Sequence, residues 1–136
     1  MNYYLLKIIK NLLERKLYFF VGILLTIIIT IGSLISVKNV IELPPVNLAD
    51  KYLHLLAYFL LTFSWLGALV RRRIFFSKGI FVAVLVFVYG IIIEVLQGTL
   101  TTYRQTDLYD LIANLAGIVI AWMFFNFLFL KKTRMK

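Results

Sequence analysis

Four stretches of the chain are almost continuously apolar: Leu17 to Val37, Tyr52 to Val70, Gly79 to Gln97 and Leu111 to Leu130. At about 1.5 Å of rise per helical residue, each is long enough to cross a hydrocarbon core roughly 30 Å thick. The pattern predicts an all-α membrane protein with four transmembrane helices. Ahead of the first stretch, Leu5, Ile8, Ile9, Leu12 and Leu13 alternate with Lys7, Lys10, Asn11 and Glu14 at helical spacing. Residues 1–16 are therefore expected to lie as an amphipathic helix in the membrane interface. Basic residues before an apolar run also resemble a signal peptide. The run is longer than the ~7–15 residues of such a segment, however, and no small-residue cleavage site follows, so an uncleaved span is expected. Leu43-Pro44-Pro45-Val46 cannot continue a helix and favours extended backbone. The domain organisation is thus an amphipathic segment (1–16), a four-span domain (17–130) and a basic tail (131–136).

Composition strengthens this picture. Hydrophobic residues make up 62% of the chain and charged residues 15%, against ~45–50% and ~25% in soluble domains. So few polar groups do not cover a water-facing surface. The basic residues are also unevenly placed. Twelve fall in the N-terminal tail, the second loop and the C-terminal tail, and three in the first and third loops. The inside-positive bias then puts both termini in the cytoplasm. The net charge of +9 reflects that bias and attraction to anionic lipid, so membrane lipids are expected partners and nucleic acid is not. Without cysteine, disulfides, thiolate metal sites and cysteine nucleophiles are excluded. With one histidine, so is any mechanism that needs two imidazoles.

The polar residues that hydrocarbon should reject gather at the outer ends of the spans. Asp50, His54 and Tyr58 step by four, Glu94 and Gln97 by three, and Asp107, Asp110, Asn114 and Gly117 by three, four and three. Residues three and four apart share a helix face. Three stripes facing the interior would converge in one polar pocket just inside the outer surface, with Lys51 and Arg104 beside it. Each residue also has a plainer role. Asp50 can cap the second helix, and Asp107 with Asp110 resembles a capping box with Asp in place of Glu. His54 can be a satisfied interfacial histidine, Tyr58 a packing aromatic, and Lys51 a snorkelling cation. Glu94 lies within a span, where a carboxylate marks a functional site by default; its structural alternative is an ion pair with Arg104 or Lys51. Small residues at Gly22, Thr26, Thr30 and Ser33, and at Ala113, Gly117 and Ala121, are read as helix-packing stripes.

These residues resemble a family pattern. Asp50-Lys51-Tyr52-Leu53-His54-Leu55-Leu56-Ala57-Tyr58 is similar to the D-K-x-x-H-x-x-x-Y signature of VanZ-like membrane proteins. The run Glu94, Gln97, Arg104, Asp110, Asn114, Gly117 resembles that family's second signature in order and spacing. The resemblance covers about residues 17–130. It implies a four-helix protein of the bacterial cytoplasmic (inner) membrane with its polar motif facing outward. The family's founding member is associated with resistance to the lipoglycopeptide teicoplanin.

Three functions fit the residues. The first is a binding protein or resistance factor whose Arg104, Lys51, His54, carboxylates and amide hold the polar head of a lipid, a lipid-linked cell-wall precursor or a lipoglycopeptide. The second is a membrane enzyme acting on a lipid head group. Glu94 would then serve as general base and His54 as proton shuttle, with Arg104 stabilising negative charge. The third is a structural, assembly or proton-passing role for a buried polar cluster. Glu94 and His54 are the candidates for catalysis, and Asp50, Lys51, Tyr58, Gln97, Arg104, Asp107, Asp110 and Asn114 for ligand contact. No metal set or cofactor is assigned, although His54 with Asp50, Glu94 or Asp110 makes a chemically adequate divalent-ion set. Oligomeric state and catalytic status stay open.

Overall fold

The computed structural model describes residues 3–35, 48–70, 75–100 and 107–134. They form four helices: α1 (Tyr3–Leu34), α2 (Leu48–Leu69), α3 (Phe75–Leu100) and α4 (Leu108–Arg134). Each contains a stretch long and apolar enough to cross a membrane: Ile9–Leu34, Leu48–Leu69, Ser77–Leu100 and Leu108–Leu128. The all-α, four-span architecture therefore matches the hydrophobic pattern.

Two details differ from the pattern. α1 runs unbroken through residues 16 and 17, so the amphipathic segment and the first span are one helix. Between Leu12 and Leu17 every residue is a good helix former and neither glycine nor proline intervenes, so nothing ends the helix there. α2 begins at Leu48 rather than near Tyr52, which brings Asp50 and Lys51 into its first turn. The Leu43-Pro44-Pro45-Val46 segment, the end of the expected first span at Val37 and the basic run Arg71-Arg72-Arg73 lie outside the described residues.

α2 is the hub. It packs most extensively on α4 and also touches α1 and α3, while α1 and α4 do not meet among the described residues. The order around the bundle is therefore α1, α2, α4, α3, with α2 and α3 across the short diagonal. Lipid tails are as apolar as leucine, so close approach and hydrogen bonds, not hydrophobicity, must hold such helices together. The closest approach is at Gly117, where a Cβ would stand 2.2 Å from the Leu55 carbonyl oxygen and 3.0 Å from the Phe59 nitrogen. Only a hydrogen at this position lets α4 lie against the α2 backbone. Ala113 and Ala121, a turn to either side, are buried in the same seam. The α1 stripe works against larger side chains. Gly22 sits under the Trp65 ring, and the Thr30 hydroxyl meets the Tyr89 hydroxyl at 2.8 Å.

Tyr58, Leu61, Leu66, Val82, Val86, Ile118 and Phe125 make the core, and leucines, isoleucines and phenylalanines cover the outside. Arg15 of α1 ties the end of the bundle nearer the termini. Its Nε and Nη2 donate to the Ala68 carbonyl oxygen at 3.2 and 2.9 Å, satisfying one of the last carbonyls of α2.

Candidate functional site

At the opposite end, the start of α2, the last turns of α3 and the start of α4 come together. α4 opens on Asp107, whose carboxylate accepts the Tyr109 N–H at 2.8 Å in the manner of an N-cap. In a closed capping box, Asp110 would reach back to the Asp107 N–H. Instead, that N–H donates to Oε1 of Glu94, from α3, at 2.7 Å. Glu94 thus takes the place of the box's second acid and clamps α3 to the N-terminus of α4. It does so while only 4% exposed.

This arrangement leaves Asp110 available to α2. Lys51 Nζ donates to Asp107 Oδ2 at 2.7 Å and to Asp110 Oδ1 at 2.9 Å. Lys51 therefore bridges two carboxylates of α4; it neither simply snorkels nor pairs with Glu94. The ammonium beside it, and then the Tyr109 N–H, hold the Asp107 carboxyl below the ordinary carboxylate range. One turn deeper, Asn114 Oδ1 accepts a hydrogen bond from His54 Nδ1 at 3.1 Å. An amide oxygen only accepts, so Nδ1 carries the proton and Nε2 is turned toward Asp110 Oδ2, 3.9 Å away. Asp50 lies inside the first turn of α2 rather than at its cap position. It completes a group with His54 and Asp110 whose potential ligand atoms are all within 4.8 Å of one another.

The remaining candidates divide. Gln97 is buried and its Nε2 donates to the Ser33 carbonyl oxygen at 3.1 Å, joining α3 to the end of α1. Tyr58 lies deeper, in the apolar core, with its ring against Gly90 and near Tyr89, and its hydroxyl has no hydrogen-bond partner among the described residues. Arg104 lies outside the described residues. Asp50, Lys51, His54, Glu94, Asp107, Asp110 and Asn114 are thus brought together, and Tyr58 stands apart in the core. The motif residues left Arg15, Thr26, Thr30 and Tyr89 unassigned as polar contacts. Thr26 and Thr30 were legible only as small residues, although their hydroxyls carry hydrogen bonds to the Gly22 and Thr26 carbonyls.

The cluster is graded. Lys51 and Asp107 are about a quarter exposed, whereas His54 and Asp110 are 11% exposed. Such a gradient suits a group that enters from the interface and stops short of the hydrocarbon. The described groups comprise four carboxylates, one ammonium and one imidazole. They can bind a cation or an amine, exchange protons, and donate through Lys51 to an anionic oxygen.

Comparison with known proteins gives two matches. A family model described as VanZ/LLP1 matches residues 6–130. The uncharacterized protein C11E3.10 of the fission yeast Schizosaccharomyces pombe is 38% identical over 90 residues, which cover 65% of this chain and 52% of that protein. The match thus spans about half the length of that relative. No solved structure matches.

Proposed function

The chain belongs to the VanZ/LLP1 family, and we propose that its polar cluster binds the head group of a membrane-embedded amphiphile at the non-cytoplasmic face. The observation that carries this reading is the bridge from Lys51 to Asp107 and Asp110. Together with the clamp from Glu94 to the Asp107 N–H, it gathers ionisable side chains of three helices at one end of an otherwise apolar bundle. Ionisable groups are costly in a membrane unless they serve one another or a ligand. The inside-positive distribution of basic residues supports the outward orientation, with both termini in the cytoplasm.

Among the described residues, the cluster's carboxylates accept hydrogen bonds and suit a head group that brings N–H donors. The amine of a zwitterionic lipid, the peptide of a lipid-linked wall precursor and a lipoglycopeptide all do so, and all carry an acyl or prenyl tail that can lie along the spans. Protection against lipoglycopeptides then follows where the bound amphiphile is the drug or its target. The bacterial cytoplasmic membrane is the location that fits this role.

The test uses Glu94→Gln, whose amide oxygen can still accept the Asp107 N–H, so folding is retained while one negative charge is lost. Wild type and variant are reconstituted in nanodiscs, and binding of lipids with amine and non-amine head groups is measured. In parallel, a sensitive Gram-positive host expressing each is challenged with a lipoglycopeptide. The reading predicts head-group-selective binding that falls at least tenfold in an equally abundant, folded variant. Equal binding of every head group by both proteins would refute it.

A further inference from the structure

We infer that Asp50, His54 and Asp110 form a binding site for one divalent metal ion of the zinc or manganese class. The inference rests on their geometry and stands whether or not the cluster binds lipid. Asp50 and His54 are four residues apart and so share one face of α2, and Asp110 reaches the same point from the first turn of α4. One ligand atom from each lies within 4.8 Å of the others. Two ligands at about 2.1 Å from an ion are at most about 4.2 Å apart, so small side-chain rotations close the set.

Two features distinguish this group from a chance gathering of acids. The imidazole is set for ligation: Asn114 holds the Nδ1 proton, and Nε2 has no hydrogen bond among the described residues and faces Asp110 Oδ2 at 3.9 Å. That separation is too long for a hydrogen bond and suits two ligands on one ion. A hydrogen bond to the other ring nitrogen, fixing the tautomer, is what metal-ligating histidines ordinarily have. Secondly, Asp110 divides its oxygens. Lys51 holds Oδ1 at 2.9 Å, which orients the carboxylate and leaves Oδ2 for an ion.

The donors are one nitrogen and two carboxylate oxygens. Imidazole argues against magnesium or calcium, and carboxylates without thiolate suit zinc or manganese. Three protein ligands leave room for water or for an oxygen of a bound head group.

The test uses the full chain, purified through a tag without histidine, stripped with chelator and titrated with zinc or manganese chloride. Bound metal per chain is read by elemental mass spectrometry after desalting, beside a binding isotherm. The expected result is one ion per chain, weakened at least tenfold by Asp110→Asn and by His54→Gln. Lys51→Met should tighten binding severalfold by removing the ammonium from Asp110. Because the chain has one histidine, a further readout needs no variant: manganese should broaden the imidazole resonances of the wild-type protein at substoichiometric addition. An absence of stoichiometric ion, equal binding by wild type and both ligand variants, or imidazole resonances untouched by manganese would overturn the inference. Head-group binding measured in chelator tests the lipid reading separately.

Discussion

Gly117→Ala is the most demanding test of how the bundle holds its polar cluster. The added methyl would stand 2.2 Å from the Leu55 carbonyl oxygen and 3.1 Å from the Leu55 carbonyl carbon. These are backbone atoms inside a helix, so no side chain can rotate away. An ordinary contact begins near 3.4 Å, and the seam between α2 and α4 must open locally by about 1 Å to relieve such a clash. Asn114 is one turn from Gly117, and its bond to His54 is 3.1 Å long. The same opening takes that pair beyond hydrogen-bonding range.

Two costs follow: overpacking of about 1–3 kcal/mol, and about 1–3 kcal/mol for buried polar groups left unpaired. Unfolding by SDS in mixed micelles, followed through the fluorescence of Trp65 and Trp122, should therefore show a loss of roughly 2–6 kcal/mol. The Nδ1 proton of His54 should shift in a nitrogen-edited spectrum. Gly32→Ala is the control, since nothing lies within 4 Å of its added methyl. It should be neutral or gain up to about 1 kcal/mol from helix propensity. A Gly117→Ala protein that unfolds with wild-type energy and keeps its His54 signal would show that the α2–α4 seam does not position the cluster.

Asp107→Ala removes the cap on Tyr109 N–H and should destabilise by about 0.5–2 kcal/mol, whereas Asp107→Asn keeps an acceptor oxygen and should cost less in the same SDS titration. The Asp107 carboxyl is held below its ordinary value when folded, so its contribution is present above the unfolded value near ~3.9 and lost as pH falls through the lower folded value. An acid titration of stability should accordingly drop below about pH 4, and Asp107→Asn should flatten that part of the curve; an unchanged curve would contradict the Lys51 bridge. Arg15→Ala strips the Ala68 carbonyl of its two donors and should lose about 1–3 kcal/mol. Arg15→Lys, which keeps the charge but not the fork, should recover less than half of it, as read by the same titration.

The four spans and the inward stripes were legible because helical periodicity tells which residues share a face. Spacing puts His54, Asn114, Glu94 and Asp110 on stripes that would converge if they faced the interior; the His54 side chain meets Asn114 and nearly meets Asp110, and Glu94 meets the backbone at Asp107. Periodicity does not say which neighbour will face a stripe. Asp107 and Asp110 read as a box closed within one helix, but α3 ends close enough for Glu94 to supply the second acid. Arg15 read as one more inside-positive cation, since its acceptor, Ala68, lies 53 residues along the chain. Tyr58 continues the stripe of Asp50 and His54, yet a second turn carries it from the interface into the core beside Gly90. Equal spacing along a helix is also a change of depth, and depth decides whether a hydroxyl finds water, a ligand or neither.

Depth and polarity together account for how so many acids sit at one end of an apolar bundle. The N-termini of α2 and α4 both point to that end, and each presents unsatisfied N–H groups and the positive pole of its helix dipole. Asp50 lies in the first turn of α2 and Asp110 in that of α4; Asp107 caps α4 and Glu94 accepts its N–H. Much of the positive charge that stabilises these carboxylates is therefore backbone, which explains why one bridging lysine serves Asp107 and Asp110 together. Backbone dipoles are fixed in place and fall off within a turn, so they bear on Asp107 and Glu94 at the start of α4 and on Asp50 and Asp110 within the first turns of α2 and α4. The rewired cap at Asp107 and the bond from Lys51 to Asp110 are thus consequences of one choice, the donation of the Asp107 N–H to a carboxylate from another helix.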